Sequence, residues 1–129
     1  MDLQAFFEPI PSEILQEEYG HNAFFHHIHC HDETFPDLEG IQIAIIGIEE
    51  YRGTGDDALN NSLASSSAIR KKLYSLKKGQ GNYSLADLGN IKLGENLQET
   101  RSLISSIGEL MIKTQVLPIF IGGSHDLDV

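Results

Sequence analysis

The sequence predicts an α/β fold in which a short parallel sheet carries helices on its faces. Three apolar runs of strand type, at residues 41–48, 83–88 and 116–121, alternate with two segments of helical period. This order of elements is typical of right-handed βαβ crossovers, which build parallel sheets. The length of 129 residues fits one domain, with residues 1–40 as an irregular lead-in and residues 41–129 as the core.

Composition and charge exclude several classes of protein. With 40% hydrophobic and 22% charged residues, the chain is of globular rather than disordered type. Nine Lys and Arg against 19 Asp and Glu give a net charge of −10, so we expect neither nucleic acid nor a membrane as a partner. There is no signal-peptide pattern, no apolar run long enough to span a bilayer and only one cysteine, Cys30. We therefore expect a soluble, cytoplasmic protein.

The first half of the chain contains one clear strand. Residues 1–40 show no period apart from a short helix near Ser12–Glu18, for which Ser12 is the expected N-cap. Residues Ile41–Ile48 form a run rich in β-branched side chains that is bounded by glycine and polar residues. Such a run is typical of a strand buried on both faces.

The second half alternates helix and strand. The segment Ala64–Leu76 is expected to be a helix whose apolar face consists of Ile69, Leu73 and Leu76. Tyr83–Leu88 is a weaker strand, closed by Gly89 and Asn90. Glu95–Lys113 has a helical apolar period with acidic residues at its start and lysine at its end, which suits the helix dipole. Val116–Ile121 is the third strand.

The loop after the third strand carries the most informative polar residues. Ligands of open parallel sheets bind beyond the carboxyl ends of the strands, and Gly122 and Gly123 bring His125 and Asp126 to that edge. An imidazole with a nearby carboxylate can bind a transition metal. The alternative is a turn in which the two glycines merely end a strand, because a metal site needs three or more protein ligands.

Four stretches of the sequence resemble a known family. Ile121–Asp126 resembles the first metal-binding motif of the ureohydrolases, the superfamily of arginase, agmatinase and formimidoylglutamase, where Gly-Gly-Asp-His-Ser follows a parallel strand. In the same order along the chain, Gly47–Gly53 resembles the Gly-x-Pro loop of the family, Ala68–Arg70 its Ala-Ile-Arg and Asp87–Asn90 its Asp-x-Gly-Asp. The resemblance extends from Ile41 to the C-terminus.

The resemblance implies a fold and a chemistry. The fold is a three-layer α/β/α fragment of the arginase type, with the predicted strands in spatial order 2-1-3. The family binds two Mn²⁺ ions that hold a hydroxide, which attacks a small amidine or guanidine substrate at a linear C–N bond. His125 matches a terminal manganese ligand. Ser124 and Asp126 exchange the residue types of the family motif, so Asp126 and Asp128 are further candidate ligands.

The remaining family ligands lie in an Asp-Ala-His-x-Asp and a Ser-x-Asp-x-Asp segment, and neither occurs in these 129 residues. We therefore expect the N-terminal portion of a longer enzyme, with no catalytic residues of its own and no activity by itself. With more sheet missing, Val116–Ile121 is left as an apolar edge strand, which favours self-association into a homo-oligomer.

A second hypothesis comes from the histidine-rich segment between His21 and His31, which includes Cys30. Imidazole and thiolate groups at such close spacing can bind Zn²⁺, Ni²⁺ or Cu²⁺, although the pattern matches no strong zinc motif. On this hypothesis the chain is a non-catalytic α/β binding or interaction module. We expect Cys30 to be a poor nucleophile, Arg52 to be a surface residue, and the acidic pair at Glu49 and Glu50 to be solvated.

Overall fold

The structure, a computed structural model, describes residues 3–49, 66–77, 79 and 83–122. These residues form a mixed α/β fold with a five-stranded sheet and three α-helices. The elements in chain order are a 3-10 helix at Leu3–Phe6, β1 at Phe7–Glu8, α1 at Ser12–Leu15, a 3-10 helix at Phe24–His27, β2 at Ile28–Cys30, β3 at Ile43–Ile48, α2 at Ser66–Ser75, β4 at Leu85–Ile91, α3 at Leu97–Lys113 and β5 at Leu117–Gly122. No helix in these ranges is long and apolar enough to cross a membrane.

The sheet has the order β1-β4-β3-β5, and β2 also pairs with β4. Strand β3 pairs in parallel with β4 and with β5, so that Ile43 lies between Leu85 and Leu117. The outer edge of β4 is shared, because β2 runs parallel to its first half and β1 antiparallel to its end. The observed sheet thus differs from the expected three-stranded sheet of order 2-1-3, since the N-terminal segment adds two strands.

The N-terminal segment is more regular than expected. Instead of an irregular lead-in, it contributes β1 and β2 to the sheet, and Phe7 is buried in the core. The short helix ends at Leu15 rather than Glu18, and its N-cap is Pro11, which offers no side-chain oxygen. Ser12 is therefore the first helical residue and not the cap.

Strand β4 continues past the Gly89-Asn90 pair that was expected to close it. Gly89 has a φ of 89°, and a Cβ atom there would lie 2.0 Å from the carbonyl oxygen of Glu8 in β1. Only glycine tolerates this combination of positive φ and close backbone approach. The glycine therefore allows β1 to pack against the end of β4.

Helix α3 confirms the strongest expectation from the sequence. It begins two residues after Glu95, because Asn96 is the N-cap and its side chain accepts a hydrogen bond of 2.9 Å from the backbone N–H of Glu99. The buried residues of the helix, Ile104, Ile107 and Met111, belong to the main apolar core. The same core includes Ala44, Ile46 and Leu88 of the strands.

Helix α2 forms where a helix was expected, but a different face is buried. The predicted face of Ile69, Leu73 and Leu76 is wrong: the first two are half-buried, and Leu76 is 57% exposed. The buried residues are Ser66, Arg70 and Tyr74, spaced four residues apart. Tyr74 also packs in a second, smaller apolar cluster with Ile10 and Ile14. Helix α2 thus meets the sheet through polar side chains.

Candidate functional site

A largely buried polar cluster fills the contact between α2 and strands β3 and β4. We define it by six residues: Glu49, Ser66, Arg70, Tyr74, Asp87 and Asn90. The helix supplies three of them from successive turns, β4 supplies two, and Glu49 directly follows β3. The spacing of four residues along the helix explains why Ser66, Arg70 and Tyr74 share one face.

The centre of this cluster is an ion pair between Arg70 and Asp87. Arg70 donates from Nε to Oδ2 of Asp87 and from Nη2 to Oδ1, both at 2.8 Å, and both side chains are fully buried. Burial alone lowers the pKa of Arg70, but the hydrogen bonds and charge of Asp87 outweigh it and raise the pKa overall. The guanidinium therefore stays charged, and the bidentate geometry fixes its plane.

Asp87 has two further donors. The hydroxyl of Tyr74 donates to Oδ2, and the backbone N–H of Gly89 donates to Oδ1 at 3.1 Å. Burial, followed by the charge of Asp87, raises the pKa of Tyr74 above its ordinary range, so the phenol remains a donor. The Asp87 carboxylate accepts four hydrogen bonds from other groups of the protein. It is therefore unsuited to serve as a general base for a substrate.

The other end of the cluster lies where β3 and β4 finish. Arg70 donates from Nη1 to Oδ1 of Asn90 at 2.6 Å, and Oγ of Ser66 lies 3.2 Å from the same oxygen. The backbone N–H of Ser66 donates to Oε1 of Glu49 at 3.2 Å, and its hydroxyl donates there too. Glu49 thus places a carboxylate at the start of α2, where the helix dipole favours it. Glu49 is half-buried, whereas the sequence had predicted a solvated side chain.

Two glycines let the backbone approach this end of the cluster. A Cβ atom on Gly47 would lie 2.0 Å from Oδ1 of Asn90 and 2.8 Å from both terminal nitrogens of Arg70. Gly122 has a φ of 83°, and a Cβ atom there would lie 2.5 Å from the carbonyl oxygen of Ile48. The carboxyl ends of β3, β4 and β5 and the start of α2 therefore meet at one place, which is the usual ligand-binding edge of an open α/β sheet.

Cys30 lies beside this cluster but is not activated. Its Sγ is 3.7 Å from the hydroxyl of Tyr74, and burial raises the thiol pKa to about 11. Because the thiolate is the reactive form, a thiol with so high a pKa is a weak nucleophile at neutral pH.

The histidine-rich segment does not assemble a metal site. His31 is buried, and its Nδ1 lies 2.8 Å from the carbonyl oxygen of Leu88, which requires the proton on Nδ1. The ring of His26 contacts the carbonyl oxygen of Gly20 instead, at 3.1 Å. Across the described part of the chain, no group of three or more His, Cys, Asp or Glu side chains is arranged to hold a metal ion.

The expected manganese ligands lie outside the described residues. His125, Asp126 and Asp128 follow Gly122, where the described chain stops. Arg52 and Glu50 also fall outside the described ranges. The structure therefore brings together Gly47, Arg70, Asp87 and Asn90, which belong to the second, third and fourth family stretches. Most of the motif that would bind metal lies outside the described residues.

No protein family, no curated protein and no solved structure matches this chain. The sequence pointed to Arg70, Asp87 and Asn90 only as parts of short motifs and missed Tyr74. The available signal was a polar stripe on α2 at a spacing of four residues, which is a helical period made of polar instead of apolar side chains.

Proposed function

We propose that this chain is the N-terminal portion of a cytoplasmic, ureohydrolase-like hydrolase that depends on Mn²⁺ and cleaves linear C–N bonds of small amidines or guanidines. We further propose that the portion is inactive alone. The observation that carries the proposal is the convergence of three separate family-like stretches on the guanidinium of Arg70.

The contacts explain why each stretch has its residue types. Glycine at 47 leaves room for the guanidinium, and arginine at 70 reaches across the helix–sheet contact. Asp87 neutralises the buried charge, and Asn90 binds the remaining nitrogen. Short motifs matched one at a time carry little weight. Three that interlock in space and follow the family order along the chain support a common origin far more strongly.

The position of the cluster also supports this proposal. It lies at the carboxyl ends of parallel strands, beside the end of β5, and the sequence reaches His125 three residues after Gly122. In the proposed architecture the helices cover both faces of the sheet in three layers. Its central strands β4, β3 and β5 then correspond to the family order 2-1-3, with β1 and β2 as additions.

The described residues do not fit a manganese centre. Asp87 is saturated by Arg70, Tyr74 and Gly89, and no other acidic or histidine group of the required size is present in the described ranges. The role of the described residues in this proposal is structural. The ion pair between Arg70 and Asp87 fixes α2 against the strand ends, from which the active-site loops of the complete enzyme would extend.

Manganese binding tests the role of His125. Isothermal titration with MnCl₂ should give weak binding to the 129-residue chain, because the ligand set is incomplete, and His125→Ala should abolish it. His29→Ala is the matched control, since His29 is exposed in the histidine-rich segment. Loss of binding in His29→Ala with retention in His125→Ala would instead favour the metal-capturing interaction module.

Turnover tests the claim that the portion is inactive. Release of urea or formamide from arginine, agmatine or formimidoylglutamate with added Mn²⁺ should not exceed that of His125→Ala. Turnover clearly above this variant would overturn the claim. The coding sequence that follows the Val129 codon tests the family itself: the proposal requires the two aspartate-rich segments there, in the same reading frame.

A further inference from the structure

An open cleft lies at the end of the sheet opposite the polar cluster. It is lined by residues 38–42, which precede β3, and by Thr114 and Gln115, which follow α3, and the structure describes all of them. Its volume of about 580 Å³ is within the range of small-molecule sites. The polar cluster lies at the carboxyl end of β3 and the cleft at the amino end, so the two are separate. The cleft is therefore independent of the proposed function.

The wall formed by the end of α3 contains an unusual backbone conformation. The N–H of Val116 donates to the carbonyl oxygen of Met111 at 2.8 Å, and the N–H of Gln115 donates to that of Ile112 at 3.0 Å. This Schellman arrangement places residue 115 in the left-handed region, with a φ of 65°. Glycine is the usual residue there, because a Cβ atom is disfavoured in that region. Among the described residues, no other non-glycine residue has a positive φ.

The glutamine at position 115 therefore carries a conformational cost that glycine would avoid. Strained backbone of this kind is often found at ligand-binding sites, where the strain is retained for a functional reason. A glycine at this position would remove the side chain that lines the cleft. The strain is thus consistent with a role of the Gln115 amide in binding.

Two polar side chains of the cleft can only accept hydrogen bonds from a ligand. The hydroxyl of Thr114 donates to the carbonyl oxygens of Leu110 and Met111, at 3.1 and 2.9 Å, so its proton is already used within the helix. The carboxylate of Glu39 has acceptor oxygens and no donor. A ligand that satisfies both side chains has to supply the N–H or O–H groups itself.

The charges around the cleft favour a cation. Glu39 is the only charged residue that lines it, and its carboxylate forms no ion pair with the described part of the chain. The C-terminal end of α3 adds a partial negative charge. Lys113 is not a lining residue, and its ammonium group pairs with Glu109 at 3.5 Å. The cleft therefore attracts positively charged groups and repels anions.

The floor of the cleft is apolar. Ile41 is buried in the main core, and Leu38 packs against that core. A hydrated inorganic ion gains nothing from such a floor. In the described ranges, moreover, no three His, Cys, Asp or Glu side chains are grouped to hold a metal ion. An organic cation with an alkyl chain matches both the floor and the walls.

We propose that the cleft binds a linear alkyl diamine, with one ammonium group at Glu39 and the other at Thr114 and Gln115. The alkyl chain lies between them, over Leu38 and Ile41. Each ammonium group donates to the acceptors of one wall, and the methylene groups leave water on binding. The net charge of −10 also attracts such cations at long range.

Titration with hexamethylenediamine, followed through the amide signals in NMR spectra, tests this site. The signals of Gly40, Gln42, Thr114 and Gln115 should shift saturably. Hexamethylene glycol, the uncharged diol of the same length, should cause no such shift, because it lacks the ammonium groups. The proposal is overturned if the diamine causes no saturable shift, if the diol causes equal shifts, or if the shifts are confined to the polar cluster.

Glu39→Gln separates a specific contact from general attraction to an acidic protein. The variant should bind the diamine about threefold to fivefold more weakly, because it loses an exposed ion pair. Glu33→Gln is the matched control: Glu33 is exposed and does not line the cleft, yet its substitution changes the net charge by the same amount. Its affinity should equal that of the parent chain. Equal weakening in the two variants would mean that only the net charge attracts the diamine.

Gln115→Gly separates binding from folding. The variant should unfold at a higher urea concentration than the parent chain, because glycine relieves the strain at this position. It should nevertheless bind the diamine about threefold more weakly, because the side-chain acceptor is lost. A purely structural role of Gln115 would not weaken binding in a more stable variant. An affinity equal to that of the parent chain contradicts the assigned contact of Gln115.

Discussion

The two long helices are held to the same sheet in opposite ways. Helix α3 joins the core through Ile104, Ile107 and Met111, which are wholly apolar. Helix α2 is anchored by Arg70 and its hydrogen-bonded partners. Apolar contacts are non-directional and tolerate small shifts, whereas a bidentate ion pair is satisfied in only one register.

This difference assigns different tasks to the two helices. The α3 contact supplies net stabilisation through burial of apolar area. The α2 contact gains less net free energy, because burying two charges carries a large desolvation cost. The α2 contact instead fixes the position of the helix. It holds the start of α2 against the ends of β3 and β4, where the candidate site lies. Substitutions on the two sides should therefore fail in different ways.

The largest expected effect is on the polar side. Asp87→Asn removes the countercharge of Arg70 while keeping the shape, and an unpaired buried guanidinium should cost about 4 kcal/mol of unfolding free energy. Urea unfolding followed by circular dichroism measures this loss, or shows that the variant no longer unfolds cooperatively. A cost below 1 kcal/mol would mean that water reaches Arg70 in solution.

The apolar side should respond to lost volume. Ile107→Ala leaves a cavity in the α3 contact and should cost about 3 kcal/mol in the same measurement. Ile112→Ala is the control on the same helix, because Ile112 is exposed, and it should change stability by less than about 0.5 kcal/mol. Equal costs for the two variants would contradict the assigned orientation of α3.

Tyr74→Phe isolates a single hydrogen bond of the polar cluster. The ring still fills its place near Ile10 and Ile14, but Asp87 loses one donor and keeps three. We expect a loss of about 1–2 kcal/mol, smaller than that of Asp87→Asn. A loss larger than that of Asp87→Asn would show that the Tyr74 hydroxyl stabilises the cluster more than the Arg70 ion pair does.

Alkaline pH should weaken the α2 side. The pKa of Cys30 is raised from its ordinary value of 9.0 to about 11, so between these values the unfolded chain releases a proton that the folded chain retains. The contribution of Cys30 is complete below pH 9.0 and is lost as the pH rises through about 11. Unfolding free energies across this range should fall less steeply for Cys30→Ala than for the parent chain.

The smallest effect is expected at an exposed pair. Lys113 and Glu109 lie 3.5 Å apart on α3, with about 70% of each side chain exposed. Glu109→Gln should change stability by less than about 0.5 kcal/mol, because solvent screens such pairs. Comparing it with Asp87→Asn tests whether burial, rather than charge pairing as such, gives the Arg70 contact its importance.

The extent to which sequence predicts this fold follows from the same contrast. Helix α3 and strand β3 were predictable because their apolar residues follow a regular period or a continuous run. The buried face of α2 was not, because Arg70 is buried only through partners on β4, 17 and 20 residues further along the chain. Local periodicity contains no information about such partners.

The N-terminal strands were unpredictable for a related reason. Strands β1 and β2 have two and three residues, too few to show an alternation. They are defined by pairing with β4, where Phe7 lies opposite Ile91. Of the candidate site, the sequence identified the glycine-rich loops and motif residues, but not the hydrogen bonds that connect them.

The coverage of β4 by the N-terminal segment has a consequence for assembly. Strand β4 pairs with β2 over its first half and with β1 at its end, so another chain cannot add to that edge by backbone hydrogen bonding. If the first 31 residues were removed, β4 would lose both β1 and β2, and its backbone groups would become a template for strand addition. Two strands of two and three residues therefore protect a much longer apolar strand from aggregation.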